Sequence, residues 1–500
     1  MAQTFVERQN GFIGGKTSAE VMFNKIVILI GTAFGFAILA VMILVNDHLP
    51  EPYMDEIFHV QQTQTYCKGN FTYLLSSHPN AMMSCLSPPI DDKLWNPKIT
   101  TPPGLYLTTL GFLKPFSELY AFGEDDEKKI CPLFILRLMN VIFTCANSYL
   151  IYLISVQIHQ IPRTSKLMLL FSSVSLATLP PLFFFSFLYY TDPGSLFFVL
   201  LMYMFDVNEL QPLAAIFGAI SLLYRQTNIV WVFFLAAHTS LKLTIDAFSE
   251  QILNKNPERQ KRRVLMKSLI QALPQIIIVC GGYALVGIIF IAFLVYNNGI
   301  VLGDRLAHEA VLHLAQIPYY LGFVSFFAFP WIFTANNIKK FMSISVRYPL
   351  RVLSGVAVMV VVLYRFAYTH PYLLADNRHY TFYIWKRILG REGSALTYAV
   401  TPVYVFTAVT MYQLLQRKDS NFKTLLILCT FVSVVPQKLL ELRYFLVPFV
   451  IWRMNIVPTN TTVLSLELAL YTIVNTFTIY MFVFKTFKWP QNNELQRIMW

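Results

Sequence analysis

Long apolar stretches alternate with short polar connections along most of the chain. The first runs from Ile26 to Val45 without a charged residue, and it meets the ~20 residues that a membrane-crossing helix needs. Twelve more follow, over about 133–156, 166–187, 193–207, 211–224, 228–247, 274–296, 317–335, 352–369, 395–415, 424–436, 444–457 and 463–484. Each is predicted to be a helix, because backbone placed in hydrocarbon must satisfy its own polar groups. Several runs are shorter than ~20 residues or hold proline, which broken helices lining a cavity tolerate. The pattern predicts an all-α polytopic membrane protein with roughly 12–14 transmembrane helices.

The polar stretches divide the chain further. Residues 1–25 read as a tail on the inner side, 26–45 as the first membrane helix, 131–484 as the multi-helix region and 485–500 as a C-terminal tail. The longest polar stretch, 46–130, holds nine prolines between short amphipathic pieces. Loops of that length are usually functional. The first apolar run has some 25 polar residues before it and no small-residue cleavage site after it, so no cleavable signal is expected.

Composition narrows the class. The 500 residues are 56% hydrophobic and only 13% charged, against ~25% charged in a usual soluble protein. A soluble enzyme with one core is excluded. The net charge of +12 comes from 39 basic and 27 acidic residues. The basic residues concentrate in the connections holding Lys255 to Lys267, Lys339 to Arg351 and Arg417 to Lys423. In short loops such residues set topology, so no nucleic-acid partner is expected. Placing them inside, with the N-terminus, puts 46–130 outside. The sequon Asn70-Phe71-Thr72 suits that side, whereas Asn460-Thr461-Thr462 falls inside and should go unused. The six cysteines contain no CxxC pair and no metal spacing. Cys67 and Cys85 share the long loop and could pair in an oxidising lumen.

That sorting gathers distant polar residues on the outer face: Asp55, Glu56 and His59; Asp192 and Arg225; His308 and Glu309; Arg378 and His379; Glu441 and Arg443. Asp55 and Glu56 follow the first helix, where the plain reading is a solvated helix end and the functional one a general base with an orienting neighbour. His59, four residues after Asp55, shares its helical face and could pair with it. In the segment Leu94 to Tyr106, Trp95, Thr100, Thr101 and Tyr106 could wall a sugar site, or form only a rigid re-entry turn. Asp192 could simply cap the next helix, and Arg225 could snorkel. His308-Glu309 with His313 misses the HExxH zinc spacing by one residue, so no metal is expected. Arg378 and His379 can give charge-assisted hydrogen bonds to a phosphate, with Arg443 and Arg225 as further cations. A transporter would more readily show two similar halves with midplane charges; here the charges gather on one face.

The motifs Pro52-Tyr53-Met54-Asp55-Glu56-Ile57-Phe58-His59, Ile99-Thr100-Thr101-Pro102-Pro103-Gly104-Leu105-Tyr106 and Arg225-Gln226-Thr227-Asn228-Ile229-Val230-Trp231 point to one family. Gly303-Asp304 with His308-Glu309, the block from His370 to Arg387, and Glu441-Leu442-Arg443-Tyr444 add to them. With these the chain resembles the dolichyl-phosphate-glucose-dependent α-1,2-glucosyltransferases of the endoplasmic reticulum. It departs from them at Asp192, where relatives carry Glu, and at Pro102, where they carry Leu. The resemblance implies the C-type glycosyltransferase (GT-C) architecture, with a large first lumenal loop whose acid serves as base. It also implies a dolichyl phosphate glucose donor and a diglucosylated, diphosphodolichol-linked oligosaccharide acceptor, with no cofactor. The alternatives are a dolichyl-phosphate-mannose-dependent mannosyltransferase or a non-enzymatic membrane transporter or channel-associated protein.

Overall fold

A computed structural model describes residues 18–68, 95–116, 131–160, 162, 166–253, 261–305, 308–368, 370–389, 395–490 and 492–500. All thirteen apolar runs are helical in it. Among the described residues, seven helices are long and apolar enough to cross a membrane alone. They include α1 (Ser18–His48), α4 (Leu133–His159), α8 (Ile229–Leu253), α9 (Lys261–Asn297), α12 (Pro349–Phe366) and α16 (Thr461–Phe484). The seventh spans Ala395–Leu414 and ends in α13 (Thr401–Leu414). An eighth crossing is counted if α5 (Lys166–Ala177) and the short helical turns to Phe187 form one span, bent by 64° at Pro180-Pro181. Proline lacks the N–H and crowds the preceding turn, which accounts for the break. The other runs form shorter helices: α6 (Asp192–Val207), α7 (Gln211–Tyr224), α10 (Gln316–Phe327), α14 (Ser420–Val434) and α15 (Leu446–Met454).

Two elements inside the 46–130 stretch are helical as well: α2 (Glu56–Cys67) and α3 (Gly104–Leu113). The expected Cys67–Cys85 pair gives way to a disulfide between Cys67 and Cys131. Cys67 ends α2 and Cys131 immediately precedes α4, with their Cα atoms 6.6 Å apart, within the range a disulfide bridges. Cys85, the Asn70 sequon, the acidic run 124–127 and the basic residues Lys255 and Arg259 lie outside the described residues. The connection around Lys339 is itself a helix, α11 (Ala335–Arg347), capped by the Thr334 hydroxyl, which accepts from Asn337 N. It carries Lys339 and Lys340 beside exposed Ile338, Met342 and Val346, as a helix lying in the membrane interface does.

The bundle is organised around α4. More than half of its apolar stretch is buried (56%), against 6% for α12. Arg137, Asn140, Thr144 and Asn147 form a polar stripe at helical spacing along it, and all four are buried. Arg137 reaches Glu56 and the carbonyls of Leu49 and Glu51, and the other three meet the carbonyls and hydroxyls freed where the chain breaks between α5 and α6. Asn140 Nδ2 donates to Leu188 O (2.6 Å) and Tyr190 O (2.8 Å), and Asn147 Nδ2 to Pro193 O (3.0 Å). The Thr144 and Ser186 hydroxyls share a 2.6 Å bond. Irregular backbone at membrane depth is tolerated only with such internal partners. A second buried polar lock joins α15 to α16, where Arg453 donates to Glu467 at 2.7 and 2.8 Å. Ionisable groups within membrane helices pair in this inward-facing way.

The chain ends in a β-hairpin, β1 (Phe487–Trp489) with β2 (Asn492–Gln496), antiparallel with Phe487 opposite Gln496. It follows α16, whose end lies beside the end of α1: the His48 and Phe484 rings are 5.1 Å apart. The first and last membrane helices therefore end on the same face.

Candidate active site

On that face a cavity of about 1100 Å³ opens, just above the ~300–1,000 Å³ usual for small-molecule sites. Three walls meet around it: the turn entering α2, the paired segments 97–101 and 300–304, and the loops before α15 and around Arg378.

The first wall begins with strain. Met54 has φ of 57°, a left-handed conformation that costs an L-residue roughly 1–2 kcal/mol. Its neighbours hold it there. The Tyr53 hydroxyl donates to Arg497 O (3.0 Å) and accepts from Arg497 N (2.8 Å), and Asp55 N donates to the Tyr190 hydroxyl (3.2 Å). Glu56 is fully buried. Its Oε1 accepts from Arg137 Nε and Tyr189 N (both 2.8 Å), and its Oε2 from Arg137 Nη2 (2.7 Å) and Tyr53 N (3.1 Å). Glu56, expected as a catalytic group with Asp55 and His59, has its oxygens committed behind the wall and does not border the cavity. Asp55, on the neighbouring position, leaves its side chain 49% exposed at the cavity.

His59 also borders the cavity, but the predicted pairing with Asp55 is replaced by a bond from its Nδ1 to the Tyr106 hydroxyl (2.7 Å). Burial pushes the imidazole down to about 4, against the Asp55 charge that favours protonation, so it is neutral near pH 7. Asp55 instead faces Arg443 Nη2 at 3.7 Å. Arg443 donates to Glu441 (2.7 Å) and lies 3.8 Å from Asp192 Oδ2, while Asp192 Oδ1 accepts from Arg225 (2.8 Å). Asp192 does more than begin a helix: it joins the two arginines.

In the second wall Asp304 N donates to Pro97 O (2.9 Å) and Leu302 N to Thr100 O (3.4 Å). Gly303 permits this approach, since a Cβ there would run into the Pro97 carbonyl. Thr100, Thr101 and His308 border the cavity as expected. Trp95, Tyr106 and Glu309 do not. Trp95 is buried with its indole N–H given to Ile99 O (3.2 Å), and Tyr106 is buried beneath His59. Both support the wall from behind, and Glu309 is exposed outside it.

The third wall carries Arg378 and His379. Arg378 grips Asp376 through Nε (2.9 Å) and Nη2 (2.7 Å). Burial works against ionisation of Asp376, but the Arg378 hydrogen bonds and nearby positive charge leave it below the usual carboxylate range. The cavity cations among the described residues are thus Lys98, Arg225, Arg378 and Arg443. The three arginines are in carboxylate pairs, and Lys98 lies over the Phe58 ring at 4.9 Å. Lys98, Tyr190, Asp376, Trp489 and Trp500 were missed by sequence reasoning. Lys98 and Asp376 stand inside motifs already singled out, whereas nothing in the sequence marked the two tryptophans.

Carboxylates, of which Asp55 is the most exposed, and several cations at a cavity on one face of a helical membrane bundle define a multi-pass membrane protein of the GT-C class. The chain belongs to the DIE2/ALG10 family, whose sequence model matches residues 49–74 and 91–454. It is 38% identical over 468 residues to the Dol-P-Glc:Glc(2)Man(9)GlcNAc(2)-PP-Dol alpha-1,2-glucosyltransferase of Homo sapiens, covering 90% of this chain and 94% of that protein. The proteins of the same name from Drosophila melanogaster (34% identity, covering 89% and 93%) and Arabidopsis thaliana (30%, covering 93% and 97%) are also similar. No solved structure matches the chain.

Proposed function

We propose that this chain transfers glucose from dolichyl phosphate glucose to the terminal glucose of the diglucosylated lipid-linked oligosaccharide, forming an α-1,2 linkage with inversion. The observation that carries this is end-to-end similarity to enzymes of that name, 38% identical over 90% of the chain. The site chemistry supports it. A β-linked sugar phosphate that yields an α-glucoside is inverted in one displacement, which calls for one base and no second carboxylate. Asp55 is that base: the acceptor hydroxyl oxygen bonds to the anomeric carbon, its proton passes to the Asp55 carboxylate, and the bond from that carbon to the phosphate oxygen breaks. Dolichyl phosphate leaves with one more negative charge. It needs cations rather than a general acid; Arg378 and His379 supply donors from the third wall, with Arg443, close to Asp55, and Arg225 as further cations.

The site faces the lumen of the endoplasmic reticulum on this reading. The Cys67–Cys131 disulfide, at the end of the helix that begins at the cavity, supports an oxidising compartment, as do the basic connections assigned to the opposite side. The test is transfer by the purified protein from synthetic lipid donors, with and without a chelator. Glucose from dolichyl phosphate glucose should be transferred equally in both. Comparable transfer of mannose from the mannosyl donor would replace this reading with the mannosyltransferase one.

A further inference from the structure

The C-terminal segment lies beyond the part of the chain that the family model matches, which stops at residue 454. It is nonetheless built into the cavity wall: Trp489 and Trp500 both border the cavity. Backbone bonds pin it to the Arg378 loop, from Met499 N to Arg378 O (2.7 Å) and from Tyr380 N to Met499 O (3.0 Å). Arg497 pins it to the other side of the site. Its guanidinium donates to Phe482 O and Val483 O at the end of α16, and to His48 O at the end of α1, each at 2.7 Å. Terminal helix carbonyls have no partner within their own helix, so one arginine caps two membrane helices. The Arg497 backbone also holds the Tyr53 hydroxyl, two residues before Asp55.

The same segment holds the Arg378 side chain. Gln496 Oε1 accepts from Arg378 Nη1 at 3.1 Å, and the Trp489 ring lies 4.8 Å from the guanidinium carbon. Trp489 is itself fixed, its indole N–H donating to Asn377 Oδ1 at 2.8 Å. A guanidinium has five N–H donors in one plane. Asp376 takes Nε and one N–H of Nη2, Gln496 takes one N–H of Nη1, and the Tyr53 hydroxyl is a further hydrogen-bond partner. The indole covers one face, so the plane cannot turn freely, and what remains of its donors keeps a set direction.

We propose that Trp489 and Gln496 are positioning residues for the donor, fixing the Arg378 guanidinium in the orientation in which it meets the donor phosphate. This rests on the reading of Arg378 as a phosphate contact. Neither residue has to touch the sugar being transferred. Through Arg497 and Tyr53 the segment also places that cation and the Asp55 turn in one frame, so the base and the leaving group are held by one stretch of eleven residues from Trp489 to Met499.

Steady-state glucose transfer by the full-length protein tests this, with donor and acceptor varied separately. Trp489→Ala and Gln496→Ala should each raise the donor KM roughly 3- to 10-fold, a part of the worth of one cation–π contact or one charged hydrogen bond, because both act through Arg378. The kcat and the acceptor KM should stay within about twofold of wild type. Trp489→Phe keeps a ring over the guanidinium and should recover most of the loss. In an Arg378→Ala background neither substitution should add more than about twofold, because coupled residues are non-additive. If Arg378→Ala raises the donor KM while Trp489→Ala and Gln496→Ala leave it unchanged, positioning is overturned and the phosphate reading stands. Effects that multiply fully with Arg378→Ala also overturn it. An unchanged donor KM in Arg378→Ala overturns the phosphate reading and the positioning with it.

Discussion

Asp55 and Glu56 are neighbours with opposite fates because successive helical positions point ~100° apart. Glu56 turns into the bundle and meets Arg137, and Asp55 turns to the cavity. Glu56→Gln should therefore act on stability. Breaking a buried pair by altering one partner costs ~3–5 kcal/mol, so thermal melts should show a large drop while the folded fraction keeps transferring glucose. His59 gives a pH signature. Its folded value of about 4 lies below the ordinary 6.5, so between those values the unfolded chain binds the extra proton. Its contribution is complete above pH 6.5 and is lost as pH falls toward 4, on the order of 3 kcal/mol in all. Melting temperature followed from pH 7.5 to 5 should fall more steeply in wild type than in His59→Gln. At this scale the sequence showed that a carboxylate pair follows the first membrane helix. It did not show which member is free, because Arg137 lies 81 residues from Glu56 inside an apolar run and gave no local sign of its partner.

At the scale of elements, apolar periodicity sufficed for every membrane helix, since burial in lipid or in the bundle imposes the same composition. What it left out were the elements held by specific partners. The polar stripe of α4 reads as scattered Asn and Thr until the break between α5 and α6 supplies the carbonyls it satisfies. The basic connection at Lys339 was legible as charge but not as α11, and the closing hairpin was read only as a tail. The disulfide shows the same limit: loop membership favoured Cys67 with Cys85, but the end of α2 and the start of α4 bring Cys67 to Cys131. Closing a loop of that length stabilises by about 4 kcal/mol in the chain-entropy account. Peptide mapping of protein isolated from microsomes under non-reducing conditions should recover Cys67 linked to Cys131. Both thiols free would place this face of the molecule in a reducing compartment and reverse the orientation.

At the scale of the whole molecule, a bundle anchored on α4 opens on one face a cavity lined by carboxylates and arginines, which lipid-borne donor and acceptor can both reach. The one-sided sorting of charge was legible because topology and function act on the same loops. The cavity was not, because it is assembled from the turn before α2, the 300–304 segment, the Arg378 loop and the C-terminal hairpin, which meet only in the fold. The central claim is that Asp55 takes the proton from the acceptor hydroxyl. Turnover of glucose transfer by Asp55→Asn, measured with saturating donor and acceptor on protein shown to be folded, tests it most directly. Asparagine keeps the shape and cannot accept the proton, and loss of a general base costs ~10²–10⁴ in rate. The account predicts a fall of that size with donor binding retained; transfer by Asp55→Asn at close to the wild-type rate would contradict it.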